Sequence, residues 1–139
     1  FYDIDKIIEK KEKKTITEIF ETKGQDYFRK IEKKISLDIL KKTNSVIALG
    51  GGAFINPMIR KESGNSSMSF WLDLKLDSLL IRLKNVKKRP LLNQENLKET
   101  INKIYSERKK FYNRSDFRIK CNSMSIEQIV SKIIKLYEY

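Results

Sequence analysis

The stretch Val46-Ile47-Ala48-Leu49-Gly50-Gly51-Gly52-Ala53 runs an apolar segment directly into three glycines. The apolar residues predict a strand. Because glycine has no Cβ, the main chain at Gly50, Gly51 and Gly52 can approach another group closely. Taken alone, the triplet is equally consistent with a tight turn between a strand and a helix. The motifs around it favour a ligand site.

Two aspartates, Asp3 and Asp5, stand one residue apart at the predicted end of an earlier strand. Open α/β folds bind ligands at the carboxyl edge of the sheet, where both carboxylates would then lie. The alternative is that Asp5 is only the N-cap of a helix predicted for residues 6–14.

Two helices are predicted between the aspartates and the glycines. Thr15-Ile16-Thr17-Glu18 forms a capping box for a short helix that Gly24 is placed to end. A longer helix follows over residues 25–43, since one apolar stripe recurs at helical spacing. Its members are Phe28, Ile31, Ile35 and Ile39. Arg29 and Glu32 lie beside the stripe and can pair, by default as a surface salt bridge that stabilises little.

The rest of the chain alternates between predicted helices and strands. These are a helix over 56–61, a polar turn over 62–67, a strand over 69–72, helices over 76–83 and 97–112, a strand over 117–120 and a last helix capped by Ser125. Such alternation indicates a parallel sheet covered by helices on both faces. The length of 139 residues predicts one domain, 1–139. Residues 84–96, basic and poor in apolar anchors, are predicted to form a mobile lid loop.

The net charge of +12 raises the question of a nucleic-acid or membrane partner. The lysines are scattered over helix faces without interleaved aromatic residues, so we predict a solvated basic surface and neither partner. A single cysteine, Cys121, excludes an intramolecular disulfide and fits a cytoplasmic protein. No apolar run approaches the length of a membrane span.

Five motifs, taken in order, resemble the shikimate kinase family over essentially the whole sequence. They are Asp3-x-Asp5, Phe28-Arg29-x-x-Glu32, Gly50-Gly51-Gly52-Ala53, Arg89-Pro90-Leu91-Leu92 and Arg108-x-x-x-Tyr112. The resemblance implies an α/β fold of the P-loop NTPase, nucleoside-monophosphate-kinase-like type. It also implies transfer of the γ-phosphoryl group of ATP to the 3-hydroxyl of shikimate, on the chorismate route to aromatic amino acids.

The resemblance places a shikimate-binding region within residues 3–60 and adds Arg108 from outside that range. Arg29 and Arg108 would hold the carboxylate, which suits the planar, bidentate donors of arginine. Glu32 would orient Arg29, and Asp5 would bind the ring hydroxyls and act as catalytic base. The backbone of Gly50, Gly51 and Gly52 would complete the pocket.

The same resemblance assigns residues to the nucleotide. Asp3 would hold Mg²⁺ through water, and Arg89 on the lid loop would act catalytically on the phosphates of ATP. Arg82 matches a second arginine on the nucleotide side, and Asn122 with Ser123 falls where the family contacts adenine. From the residues alone, Arg89 is a solvated charge before a proline.

One family feature is not in this sequence, which contains no Gly-x-x-x-x-Gly-Lys-Ser/Thr phosphate loop. We expect the first strand and the P-loop to be missing. In the family they form a segment of about 30 residues that precedes the position of Asp3. Their absence would leave two parallel strands unpaired across a gap, so we predict that this polypeptide alone is an inactive fragment.

Three other functions are left open. A gluconate-type kinase of the same fold would also bind a carboxylate. A non-catalytic protein would bind shikimate without turnover, and a nucleic-acid-binding domain would show steeply salt-dependent binding. We expect shikimate and ATP as the ligands of a cytoplasmic monomer.

Overall fold

The structure is a computed structural model that describes residues 1–83 and 95–138 of the chain. The described residues fall into two compact units, 1–67 and 68–83 with 95–138. In chain order the elements are β1 (Tyr2–Asp3), α1 (Ile4–Glu12), α2 (Ile16–Leu40), β2 (Ile47–Ala48), α3 (Pro57–Ser66), β3 (Phe70–Asp73), α4 (Leu76–Leu83), α5 (Leu97–Tyr112), β4 (Phe117–Lys120) and α6 (Ile126–Tyr137). The predicted single domain 1–139 stays a prediction.

Both units contain a two-stranded parallel sheet, which confirms the predicted parallel pairing. In the first, β1 pairs with β2, and Asp3 lies opposite Ala48. In the second, β3 pairs with β4, and Asp73 lies opposite Lys120. Within residues 1–83 and 95–138 no strand joins the two sheets.

The first unit is built around the apolar stripe of α2. Phe28 and Ile35 are buried with residues of α1 and of the first part of α2, namely Ile4, Ile8 and Ile19. Ile31 and Ile39 pack against this cluster. The predicted stripe is therefore confirmed, and it fixes which face of α2 points into the unit.

Helix α2 has both local features that the sequence predicts, the capping box at its start and the break at Gly24. The Thr15 hydroxyl accepts from the backbone N–H of Glu18 at 3.2 Å, and the Glu18 carboxylate accepts from the Thr15 backbone at 2.7 Å. Gly24 has a φ of 83°, which residues with a Cβ rarely adopt, so the helix kinks there. The kink gives the segment carrying Arg29 and Glu32 its own direction.

Several predicted helix boundaries are wrong: α1 and α2 end earlier than predicted, at Glu12 and Leu40, and two further differences involve hydrogen bonds. Helix α1 begins at Ile4 because Asp3, not Asp5, is its N-cap, accepting from Lys6 N at 3.2 Å. Residues 62–66 belong to α3 rather than to a turn. The Ser66 hydroxyl donates to Glu62 O one turn earlier at 2.8 Å, and it also lies 3.3 Å from Leu40 O of α2.

A buried hydroxyl in α2 leads to a prediction about stability. Ser36 is fully buried one turn after Glu32, and its Oγ has no hydrogen-bond partner within the described residues. An unsatisfied buried polar group is costly, and alanine is the better helix former. Ser36→Ala should therefore raise the free energy of unfolding by about 1 kcal/mol in urea denaturation.

The control for this change is Ser131→Ala, on an exposed position of α6. It has the same gain in helix propensity without removing a buried hydroxyl. If Ser36→Ala stabilises no more than Ser131→Ala, or destabilises, then the Ser36 hydroxyl is satisfied and the prediction is wrong.

Candidate functional site

The three glycines follow β2 and form a turn that is held by its own backbone. Ala53 N donates to Gly50 O at 3.0 Å, and a short 3-10 turn, Ala53–Ile55, follows. Gly50 is half-buried, Gly51 is exposed and Gly52 is buried. The turn thus presents main-chain atoms, rather than side chains, to its neighbours.

Two carboxylates approach the turn at Gly50. A Cβ built there would lie 2.8 Å from Asp5 Oδ1 and 3.0 Å from Glu32 Oε1. Asp5 comes from the first turn of α1 and Glu32 from the part of α2 after the kink. Three segments that are distant in sequence therefore meet at one glycine.

A guanidinium lies against the turn at Gly52. A Cβ there would be 2.5 Å from Arg29 Cζ and closer still to both terminal nitrogens. No side chain can occupy that position while Arg29 keeps its place. The lack of a side chain at Gly52 is thus explained by the close approach of Arg29.

Arg29 and Glu32 form the predicted pair, but not at the surface. Arg29 Nη1 lies 2.6 Å from Glu32 Oε2, and the Glu32 side chain is 3% exposed while that of Arg29 is 29% exposed. The default interpretation of a surface salt bridge is therefore wrong for Glu32. A buried carboxylate that pairs with a partly exposed guanidinium orients the guanidinium and leaves it donors for another anion.

Asp3 and Asp5 differ in what they do locally. Both carboxylates are half-buried, but Asp3 caps α1, whereas Asp5 lies beside Gly50. No cluster of three or more metal-ligating side chains occurs in residues 1–83 and 95–138. Asp3 is a single carboxylate, and Mg²⁺ in kinases is commonly held by one or two carboxylates together with phosphate oxygens and water.

The remaining predicted site residues lie in the second unit or outside the described residues. Arg82 is exposed in the last turn of α4, and Arg108 is half-buried on α5. Asn122 follows β4, and its Oδ1 accepts from Lys75 N at 2.8 Å, which ties the end of β4 to the start of α4. Arg89 and residues 84–94 of the predicted lid loop lie outside the described residues.

Sequence reasoning missed a buried carboxylate at the end of β3. Asp73 is 6% exposed and binds Tyr105 of α5 and Arg118 of β4. Its position at the carboxyl end of a strand is the same signal that singled out Asp3 and Asp5. Its partners could not be foreseen because they lie 32 and 45 residues away in sequence.

None of the helices within residues 1–83 and 95–138 combines the length and hydropathy that a membrane crossing requires.

The fold matches solved structures of one class of small-molecule kinase. A solved structure of the shikimate kinase from Acinetobacter baumannii in complex with shikimate matches 99% of this chain and 77% of its own, with a TM-score of 0.94 and 28% identity. That of the shikimate kinase from Aquifex aeolicus matches 99% and 80%, with a TM-score of 0.82 and 34% identity. These matches establish a P-loop NTPase-like kinase fold, and with it the predicted fold class.

The family follows from the sequence matches. The family model for shikimate kinase covers residues 1–138. The chain is 41% identical over 137 residues to the shikimate kinase of Sulfurihydrogenibium sp., of which it covers 80%. It is 37% identical over 139 residues to that of Bartonella henselae, of whose length it spans 66%. The chain belongs to the shikimate kinase family.

Proposed function

We propose that this protein transfers the γ-phosphoryl group of ATP to the 3-hydroxyl of shikimate. The observation that carries the proposal is the convergence of Asp5, Arg29 and Glu32 on the backbone of Gly50 and Gly52. Family membership and the similarity to a structure that contains shikimate support the same substrate.

Arg29 is the proposed donor to the shikimate carboxylate. One of its terminal nitrogens is held by Glu32, which restrains the position of the guanidinium, while 29% of the side chain stays exposed. A planar fork held in this way suits a carboxylate better than a lysine would. Arg108 is proposed as a second arginine for the same carboxylate, by family resemblance.

Asp5 is the proposed base. Its carboxylate stands over Gly50, where no side chain intervenes, and it is only half-buried, so a hydroxyl can reach it. A carboxylate in that position can accept hydrogen bonds from ring hydroxyls and take the proton of the one that attacks. Glu32 is too fully engaged with Arg29 and too buried for that role.

ATP and Mg²⁺ complete the proposal. Asp3 would hold the ion, whose charge would offset that of the phosphate oxygens. Arg82, Arg89 and Asn122 are proposed for the nucleotide by family resemblance. For Asn122 the role would involve the amide nitrogen, because its oxygen accepts from Lys75 N. A cytoplasmic location and a monomeric state stay predictions.

The proposal is tested on the complete protein as its gene encodes it, with ATP, Mg²⁺ and shikimate, by following shikimate 3-phosphate with phosphorus NMR. Asp5→Asn should lower kcat by about 10²- to 10⁴-fold, the usual contribution of a general base, while shikimate still binds in calorimetry. Asp38→Asn, an exposed change of the same kind on α2, should leave kcat unchanged.

The outcomes separate the alternatives. Binding of shikimate without product in the unaltered protein would replace the kinase by a non-catalytic binding protein. Faster turnover of gluconate than of shikimate would assign a different substrate. Full activity of Asp5→Asn would remove Asp5 from the role of base.

A further inference from the structure

Asp73 joins three elements of the second unit through one buried carboxylate. Its Oδ1 accepts from the Tyr105 hydroxyl at 3.0 Å. Its Oδ2 accepts from Arg118 Nε at 2.9 Å and from Arg118 Nη2 at 2.6 Å. The carboxylate thereby ties the end of β3 to β4 on one side and to α5 on the other.

A second contact holds α5 near its C-terminal end. The ring of Tyr112 lies 5.7 Å from that of Trp71, which is 8% exposed. The Arg118 guanidinium lies over the same Trp71 ring at 4.6 Å. Asp73, Arg118 and Trp71 therefore form one platform on β3 and β4 against which two tyrosines of α5 rest.

Arg108 lies between those two tyrosines. Positions 105, 108 and 112 are separated by three and four residues, so they share one face of the helix. Of the five lysines and arginines on α5, Arg108 alone is half-buried, whereas Lys98, Lys103, Lys109 and Lys110 are exposed. The face of α5 that packs on the platform through its two tyrosines therefore also carries Arg108.

We propose that the hydrogen bond from Tyr105 to Asp73 positions Arg108 for the carboxylate of the substrate. Tyr105 and Asp73 are positioning residues in this proposal, which rests on the function proposed above. Without the bond, α5 keeps its apolar contacts but loses the polar contact that defines its rotation one turn before Arg108.

The pKa of the Tyr105 hydroxyl is consistent with its role as a hydrogen-bond donor to Asp73. Burial, followed by the hydrogen bond to Asp73, raises the pKa of the Tyr105 hydroxyl above its usual value. The hydroxyl therefore stays protonated at neutral pH and donates to Asp73 throughout the range in which a kinase is assayed.

The test is Tyr105→Phe in the complete protein, which removes the hydroxyl and keeps the ring. The KM for shikimate should rise roughly tenfold, while the KM for ATP stays within about twofold, because only the placement of Arg108 changes. Tyr27→Phe is the matched control. It removes a hydroxyl that donates to Glu12 at 3.1 Å in the first unit and should change neither KM.

A double variant separates positioning from general support of the fold. With Arg108→Ala already present, Tyr105→Phe should cause no further rise in the KM for shikimate. Additive effects of the two substitutions, or an unchanged KM in Tyr105→Phe alone, would overturn the proposal. An unaltered protein that does not phosphorylate shikimate would instead overturn the proposed function, so the two failures are distinguishable.

Discussion

Gly52→Ala should strongly lower phosphorylation of shikimate by the complete protein, through a loss of affinity for shikimate. A Cβ at this position would lie 2.5 Å from Arg29 Cζ, well inside van der Waals contact, so the guanidinium must move. Because Arg29 Nη1 is bound to Glu32 at 2.6 Å, that movement also draws the guanidinium away from its geometry with the buried Glu32 carboxylate. The substitution thus removes the proposed carboxylate donor without changing any charge.

The effect is measured as the loss of shikimate affinity in calorimetry, and we expect a weakening of about 10- to 100-fold, comparable to the loss of a charged hydrogen bond from Arg29. Gly64→Ala is the control, because a Cβ at Gly64 meets no atom within 4 Å. As a change inside α3 it should stabilise the protein by up to ~1 kcal/mol and leave affinity unchanged. Undiminished shikimate affinity in Gly52→Ala would show that Arg29 does not act from the position described.

Arg29→Ala should weaken both stability and substrate binding. Removing one partner of a buried ion pair costs about 3–5 kcal/mol, and we expect the lower end because Arg29 is 29% exposed. Loss of a charged hydrogen bond should separately weaken shikimate binding by about 1.5–3 kcal/mol. Urea denaturation measures the first effect and calorimetry the second, with exposed Lys30→Ala as the control.

Two further variants separate the two effects. Arg29→Lys keeps a charge beside Glu32 and should recover part of the stability, but it lacks the fork that binds a carboxylate and should stay weak for shikimate. The pair Arg29→Met with Glu32→Leu should recover stability without any recovery of binding. Normal shikimate binding by the apolar pair would contradict the proposed role of Arg29.

Local signals in the sequence predicted most of the elements. Helices α4 and α5 and strand β4 have the bounds that apolar spacing and flanking polar residues indicate. The capping box at Thr15 and the break at Gly24 follow from the chemistry of single residues. The errors at Asp3 and at Ser66 fell at helix ends, where a hydrogen bond between a side chain and the nearby backbone forms.

The candidate site was only partly accessible from the sequence. Resemblance to the motifs of the family, taken in order along the chain, singled out the acids, the arginines and the glycines. What no local pattern contains is the approach of Arg29 to Gly52 and of Asp5 to Gly50, which depends on the kink in α2 and the pairing of β1 with β2.

The sequence by itself thus determined the elements, their parallel pairing and the family, because these depend on periodicity, caps and motif order. Only the tertiary structure decided that Glu32 is buried rather than exposed. It also decided that Asp73 binds Tyr105 and Arg118. The physical reason is that burial and ion pairing arise between residues that the fold brings together from distant parts of the chain. The strength of an ion pair or hydrogen bond then depends on how far the surrounding fold excludes solvent from it.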